Sequence, residues 1–154
     1  MSWRVVQKLR PGARAGTLAR GFCTRRLISV LDEHGQANDV VADAATIANE
    51  LVLNAVNAGS SEVVLCLGLY PGYDAGPWRL RIEVLDDAAG VPQLQRPHPM
   101  AVRGRGLQIV DALAARWGVA PEGDGLKAVW AEVDVPVNDG EPAIASAGGT
   151  PAEG

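Results

Sequence analysis

Histidine and cysteine are scarce, with two of each in the chain. Cys23, Cys66, His34 and His98 stand far apart and form no C-x-x-C pair. Neither a disulfide framework nor a zinc site of recognisable ligand spacing can be built from them. The two thiols are expected to be reduced and partly buried. An excess of positive charge is also missing: the formal net charge is -4. That balance disfavours a general nucleic-acid or anionic-membrane binder, because it favours neither counterion release nor surface attraction. Long hydrophobic runs are absent, and none approaches the roughly 20 residues that span a bilayer. The opening MSWRVVQKLRPGARAG has no apolar signal core, so a cytoplasmic protein is expected. What remains is ordinary for a globular chain: 154 residues, 47% hydrophobic and 21% charged. One domain with a sizeable core follows.

Hydrophobic periodicity divides the chain. WRVVQKL over 3–9 reads as a short strand that Pro11 and Gly12 end. From Ala13 to Glu33, Leu18, Phe22, Leu27, Val30 and Leu31 recur at helical steps. Asn38 or Asp39 can cap a second helix. Val40, Val41, Ala44, Ile47, Ala48, Leu51, Ala55 and Val56 give that helix a broad apolar stripe, and Gly59-Ser-Ser ends it. The period then changes to strands over 62–69 and 78–85, expected as an antiparallel hairpin. Residues 86–103, with Pro92, Pro97 and Pro99, read as a long lid or binding loop. A third helix is expected over 106–117, with 117–120 a candidate strand, a turn at 121–125 and a last strand over 126–135. The domain is placed at 1–136. The Gly-, Pro- and Ala-rich stretch 137–154 reads as a disordered tail. The order predicts an α+β two-layer sandwich, a mixed or mostly antiparallel sheet with helices on one face.

Three segments carry chemistry. Glu50 and Asn54 lie four apart on the second helix and so share a face. A carboxylate can act as a general base, and an amide oxygen is a hard ligand suited to Mg²⁺. Asp86 ends a strand and can accept a hydrogen bond from an amino group such as that of adenine; the backbone then turns at Gly90. Gly104-Arg105-Gly106-Leu107 leads into a helix start. Free N–H groups and the positive helix end favour phosphate there, and Arg103 and Arg105 add charge. Together these parts compose a nucleotide site. Asp87 is read as a turn residue. Arg10, Arg14, Arg20, Arg25 and Arg26 form a basic cluster read first as a solvated face, and second as a dock for an acidic partner.

The motifs resemble those of the GHKL (HATPase) superfamily. Glu50-Leu-Val-Leu-Asn54-Ala-Val resembles its N-box, and DDAAGVP its first glycine box. GRGLQIVDALAARWGV resembles the second glycine box, and LKAVWAEV the strand that follows. Size and wording are closest to the anti-sigma-factor serine/threonine kinases of the SpoIIAB/RsbW type, over roughly residues 13–135. The resemblance implies the Bergerat-type ATP-binding fold, with ATP and Mg²⁺ as cofactors. It makes Asn54 the Mg²⁺ ligand, Glu50 the general base and Asp86 the reader of the adenine amino group. Gly90, Gly104 and Gly106 become the box glycines, and 92–103 the ATP lid. It further implies phosphoryl transfer to a serine of a STAS-type anti-anti-sigma partner, sequestration of a sigma factor, or both, and it allows a homodimer.

Three places depart from the pattern. Ala88 stands for an earlier box glycine, and Asn57-Ala58 for an Arg-His pair. Ala128 stands where a threonine commonly helps bind adenine, which predicts weaker nucleotide affinity. The alternative of another class is a non-catalytic sequestering module that holds ATP structurally or not at all. A detached histidine-kinase ATP domain is disfavoured, because no phosphoacceptor helix precedes it.

Overall fold

The computed structural model describes residues 2–31, 37–89 and 105–136. Three helices and five strands follow in the order β1 (Trp3–Leu9), α1 (Ala15–Leu31), α2 (Ala37–Asn57), β2 (Val63–Tyr70), β3 (Trp78–Asp86), α3 (Arg105–Leu113), β4 (Arg116–Gly123) and β5 (Leu126–Val135). The strands form one sheet in the order β1-β2-β3-β5-β4. All four ladders are antiparallel, so the mixed sheet allowed by the sequence is replaced by an antiparallel one. The architecture is α+β. The expected tail, 137–154, and most of the expected lid lie outside the described residues.

Alternation along the strands sorts the two faces of the sheet. On β3, Trp78, Leu80, Ile82 and Val84 are buried, while Arg79, Arg81 and Glu83 are half-buried on the opposite face. The buried set is register-matched to Leu65, Leu67 and Leu69 of β2 and to Val129, Ala131, Val133 and Val135 of β5. These side chains share one core with Ala44, Ile47, Ala48, Leu51, Val52 and Ala55 of α2. Each fully buried Leu or Ile contributes about 1.5–3 kcal/mol. Helix α2 lies along the middle of the sheet, touching β2, β3 and β5.

Helix α1 packs on α2 through Ala15, Ala19, Phe22, Cys23, Leu27 and Val30. Leu18, expected inward, is 53% exposed. The shorter Ala15 and Ala19 occupy the contact stripe instead, and a Leu there would hold the helices apart. Arg14, Arg20, Arg25 and Arg26 are exposed, as a solvated face requires. Helix α2 begins at Ala37, so Asp39 lies in its first turn rather than at its cap.

Helix α3 ends at Leu113, short of the expected 117. Apolar residues continue at helical spacing, but the Ala115 N–H leaves the helix to bond the Glu132 carbonyl at 2.8 Å. That bond starts β4. Trp117 is consequently a strand residue, and its Nε1 donates to Asp111 of α3 at 2.8 Å. β4 also runs through Pro121 to Gly123, confining the expected turn to Asp124 and Gly125.

Candidate functional site

The structure brings Glu50, Asn54 and Gly106 together. Glu50 and Asn54 project from one face of α2 toward the first turn of α3. A methyl group on Gly106 would stand 2.8 Å from Glu50 Oε2 and 3.3 Å from Asn54 Oδ1. Only a residue without a Cβ lets α3 approach these two side chains. The Glu50 carboxylate therefore sits against the positive end of α3, where a negative charge is favourable. Asn49 Nδ2 donates to Glu50 Oε1 at 3.4 Å. Asn54 Nδ2 is buried and, among the described residues, has no hydrogen-bond partner. An amide held in this state costs free energy unless a ligand or water completes it.

Asp86 lies just beyond the C-terminal end of α2. Its position follows from the C-terminus of α2. Gly59, at φ +86°, lets the chain close a Schellman turn, with Ser60 N–H bonded to the Ala55 carbonyl at 3.1 Å and Gly59 N–H to the Val56 carbonyl at 3.0 Å. Ser60 is thereby aimed at the end of β3, and its Oγ donates to Asp86 Oδ1 at 3.1 Å. The Ala88 N–H reaches the same oxygen at 2.9 Å. Asp86 is 1% exposed.

A third donor to Oδ1 was not anticipated. Lys127 Nζ lies 2.7 Å from Asp86 Oδ1 and 2.7 Å from the Ala88 carbonyl. Register explains it: Asp86 is paired with Lys127 across β3 and β5, and both point to the helix-covered face. Ala128, expected to stand on the adenine side, is one residue out of phase. It pairs with Leu85, so its side chain lies on the other face. The residue in register with Asp86 is Lys127, and Ala128 does not face it. The signal was present as a charged residue on the core-facing parity of an apolar strand.

The remaining sequence-chosen residues divide. Leu107 is buried in the core, so it offers the site only its backbone. The backbone of Arg105 opens α3. Gly90, Arg103 and Gly104 lie outside the described residues. Asp87 is structural, as expected: it accepts from Ser61 N at 2.7 Å and Glu62 N at 3.2 Å, and also from Ser61 Oγ. The Ser61 and Glu62 bonds hold its pKa below the usual carboxylate value.

The helix-free face carries a second polar assembly. The Glu132 side chain is 0% exposed. It takes Arg79 Nη1 at 2.7 Å, Arg116 Nε at 3.0 Å and the Tyr73 hydroxyl at 3.2 Å. Burial alone would raise its pKa, but the bonds from Arg116 and Arg79 outweigh burial and bring it below the ordinary value. Arg81 stacks on Trp130 at 4.4 Å, so Trp130 belongs to this face. Beside it, a cleft of about 350 Å³ is lined by Arg4, Cys66, Tyr70, Arg81 and Glu83. The sheet separates this cleft from Glu50 and Asn54.

Among the described residues, no group of three or more His, Cys, Asp or Glu side chains could hold a metal ion. Mg²⁺ needs no such cage when phosphate oxygens and water complete its shell, and a single amide oxygen fits that use. Among the described residues, no helix is long and apolar enough to cross a membrane. No protein-family model matches the chain, and no curated protein matches it.

Proposed function

We propose that the chain is an ATP-binding regulatory serine/threonine protein kinase of the anti-sigma type, built on the GHKL fold. The carrying observation is the contact of Gly106 with both Glu50 and Asn54. Residues from two sequence boxes more than 50 positions apart converge at one helix start. Asp86, from a third box, is buried just beyond the C-terminus of the same helix, where Ser60 bonds it. In this reading the Asn54 amide oxygen holds the cation, and the first-turn N–H groups of α3 face the phosphates. Glu50 accepts the proton of the attacking serine hydroxyl. The nucleotide-bound Mg²⁺ supplies charge neutralisation, and the rest of the catalysis is positioning. The partner class is a STAS-type anti-anti-sigma protein, a sigma factor, or both, encountered in the cytoplasm.

The test is calorimetric titration with Mg·ATP, followed by transfer of labelled γ-phosphate to STAS-domain proteins. Asn54→Ala should lose nucleotide binding. Glu50→Ala should keep binding and lose transfer. Absence of binding at millimolar ATP would rule the proposal out. One observation favours the second reading, a sequestering module that does not transfer phosphate: the acceptor oxygen of Asp86 already carries the Lys127 ammonium.

A further inference from the structure

We infer that Lys127 competes with the purine base for Asp86 and sets the nucleotide affinity of the site. The inference rests on the nucleotide-site reading above. Ser60 Oγ, Ala88 N–H and Lys127 Nζ all converge on Asp86 Oδ1. The strongest is the ammonium: charged at both ends, at 2.7 Å, between side chains only 13% and 2% exposed. A second bond of 2.7 Å to the Ala88 carbonyl fastens the same ammonium to the residues that follow Asp86. Lys127 thus bridges β5 to the end of β3 and closes over the carboxylate.

An adenine amino group is a neutral donor. A hydrogen bond from it is roughly half as strong as one from an ammonium. Three donors already fill this oxygen, so a base that bonds Asp86 there displaces one of them, and Lys127, on the longest and most flexible side chain, is the one that can withdraw. The displaced ammonium then gives up its carboxylate in a place with little access to water. Binding therefore pays for that opening. Ser60 and the Ala88 N–H remain in either state, so the carboxylate stays aimed at the same point. The affinity is set at Lys127, and Asp86 provides the acceptor once Lys127 withdraws.

The experiment measures Kd for Mg·ATP and Mg·GTP by calorimetry on the full chain. It compares the wild type with Lys127→Thr and Lys127→Met. Threonine is short and suits a strand; methionine keeps the length and removes only the charge. Unfolding midpoints without nucleotide confirm that each variant is folded. Lys127→Thr should bind Mg·ATP about tenfold tighter or more, and Lys127→Met should move the same way by less. Mg·GTP, which presents a carbonyl where adenine has its amino group, should show no such gain. Unchanged or weaker ATP binding in both folded variants overturns the inference and leaves the nucleotide site standing. An equal gain for ATP and GTP also overturns it, since the effect then does not act at the base. No binding of either nucleotide to any of the three proteins overturns the nucleotide-site reading, and the inference with it.

Discussion

At the scale of single residues, the described residues hold two buried carboxylates, Asp86 and Glu132, each on a different face of the sheet. Glu132 is the more heavily paired, and its folded pKa lies below the ordinary 4.5. A depressed carboxylate stabilises the fold above its unfolded pKa and loses that contribution as pH falls through its folded pKa. Glu132→Gln should therefore cost about 2 kcal/mol near neutral pH. That is less than a fully buried pair, because Arg79, Arg81 and Arg116 reach water. The gap to the wild type should narrow as pH drops below 4.5. Denaturant titrations over a pH series measure this, and a constant offset through the acid limb would refute it. Residue-level legibility in the sequence was uneven. Asp86 could be picked out because strand alternation puts it in phase with Trp78 to Val84. The inward parity of Lys127 was readable too, but its partner was not, because that depends on β5, and not β4, lying beside β3. That neighbour relation is a property of the assembled sheet.

Among elements, α2 organises the rest. Its stripe of Ala, Ile, Leu and Val was readable as period 3.6, and so were its end at Gly59 and its polar neighbours Glu50 and Asn54. The end of α3 was not readable. Leu107 to Ala114 and the residues beyond keep a helical spacing, and only the Ala115–Glu132 backbone bond shows that pairing with β5 wins over another turn. The α2–α3 contact predicts a coupling. Gly106→Ala places a methyl 2.8 Å from Glu50 Oε2, so α3 must shift. The expected loss of stability is about 1–2 kcal/mol. Glu50→Ala makes room for that methyl, and the loss should shrink by more than half in the double variant. Chemical denaturation of all four proteins closes the cycle. Additive effects would mean that Glu50 is not what Gly106 touches.

Across the whole molecule, one core joins all three helices to one face of the sheet. The two cysteines, expected to be partly buried, are both free and fully buried. Burial pushes the Cys23 thiol up to about 12, so almost no thiolate exists at neutral pH. Cys23 in a Cys66→Ser variant should react with a thiol reagent only through global unfolding. Its labelling free energy should then equal the unfolding free energy from denaturant curves. Labelling at the rate of a free peptide thiol would contradict the packing of α1 on α2.

The sheet ends differently on its two sides. β4 closes one side with Pro121, which has no N–H to offer, and with a break in register between Pro121 and Gly123. β1 closes the other with seven residues in unbroken register on β2. Among the described residues nothing pairs with the outer side of β1. Among the described residues, the β4 flank is partly blunted against strand addition and the β1 flank presents an unbroken ladder edge.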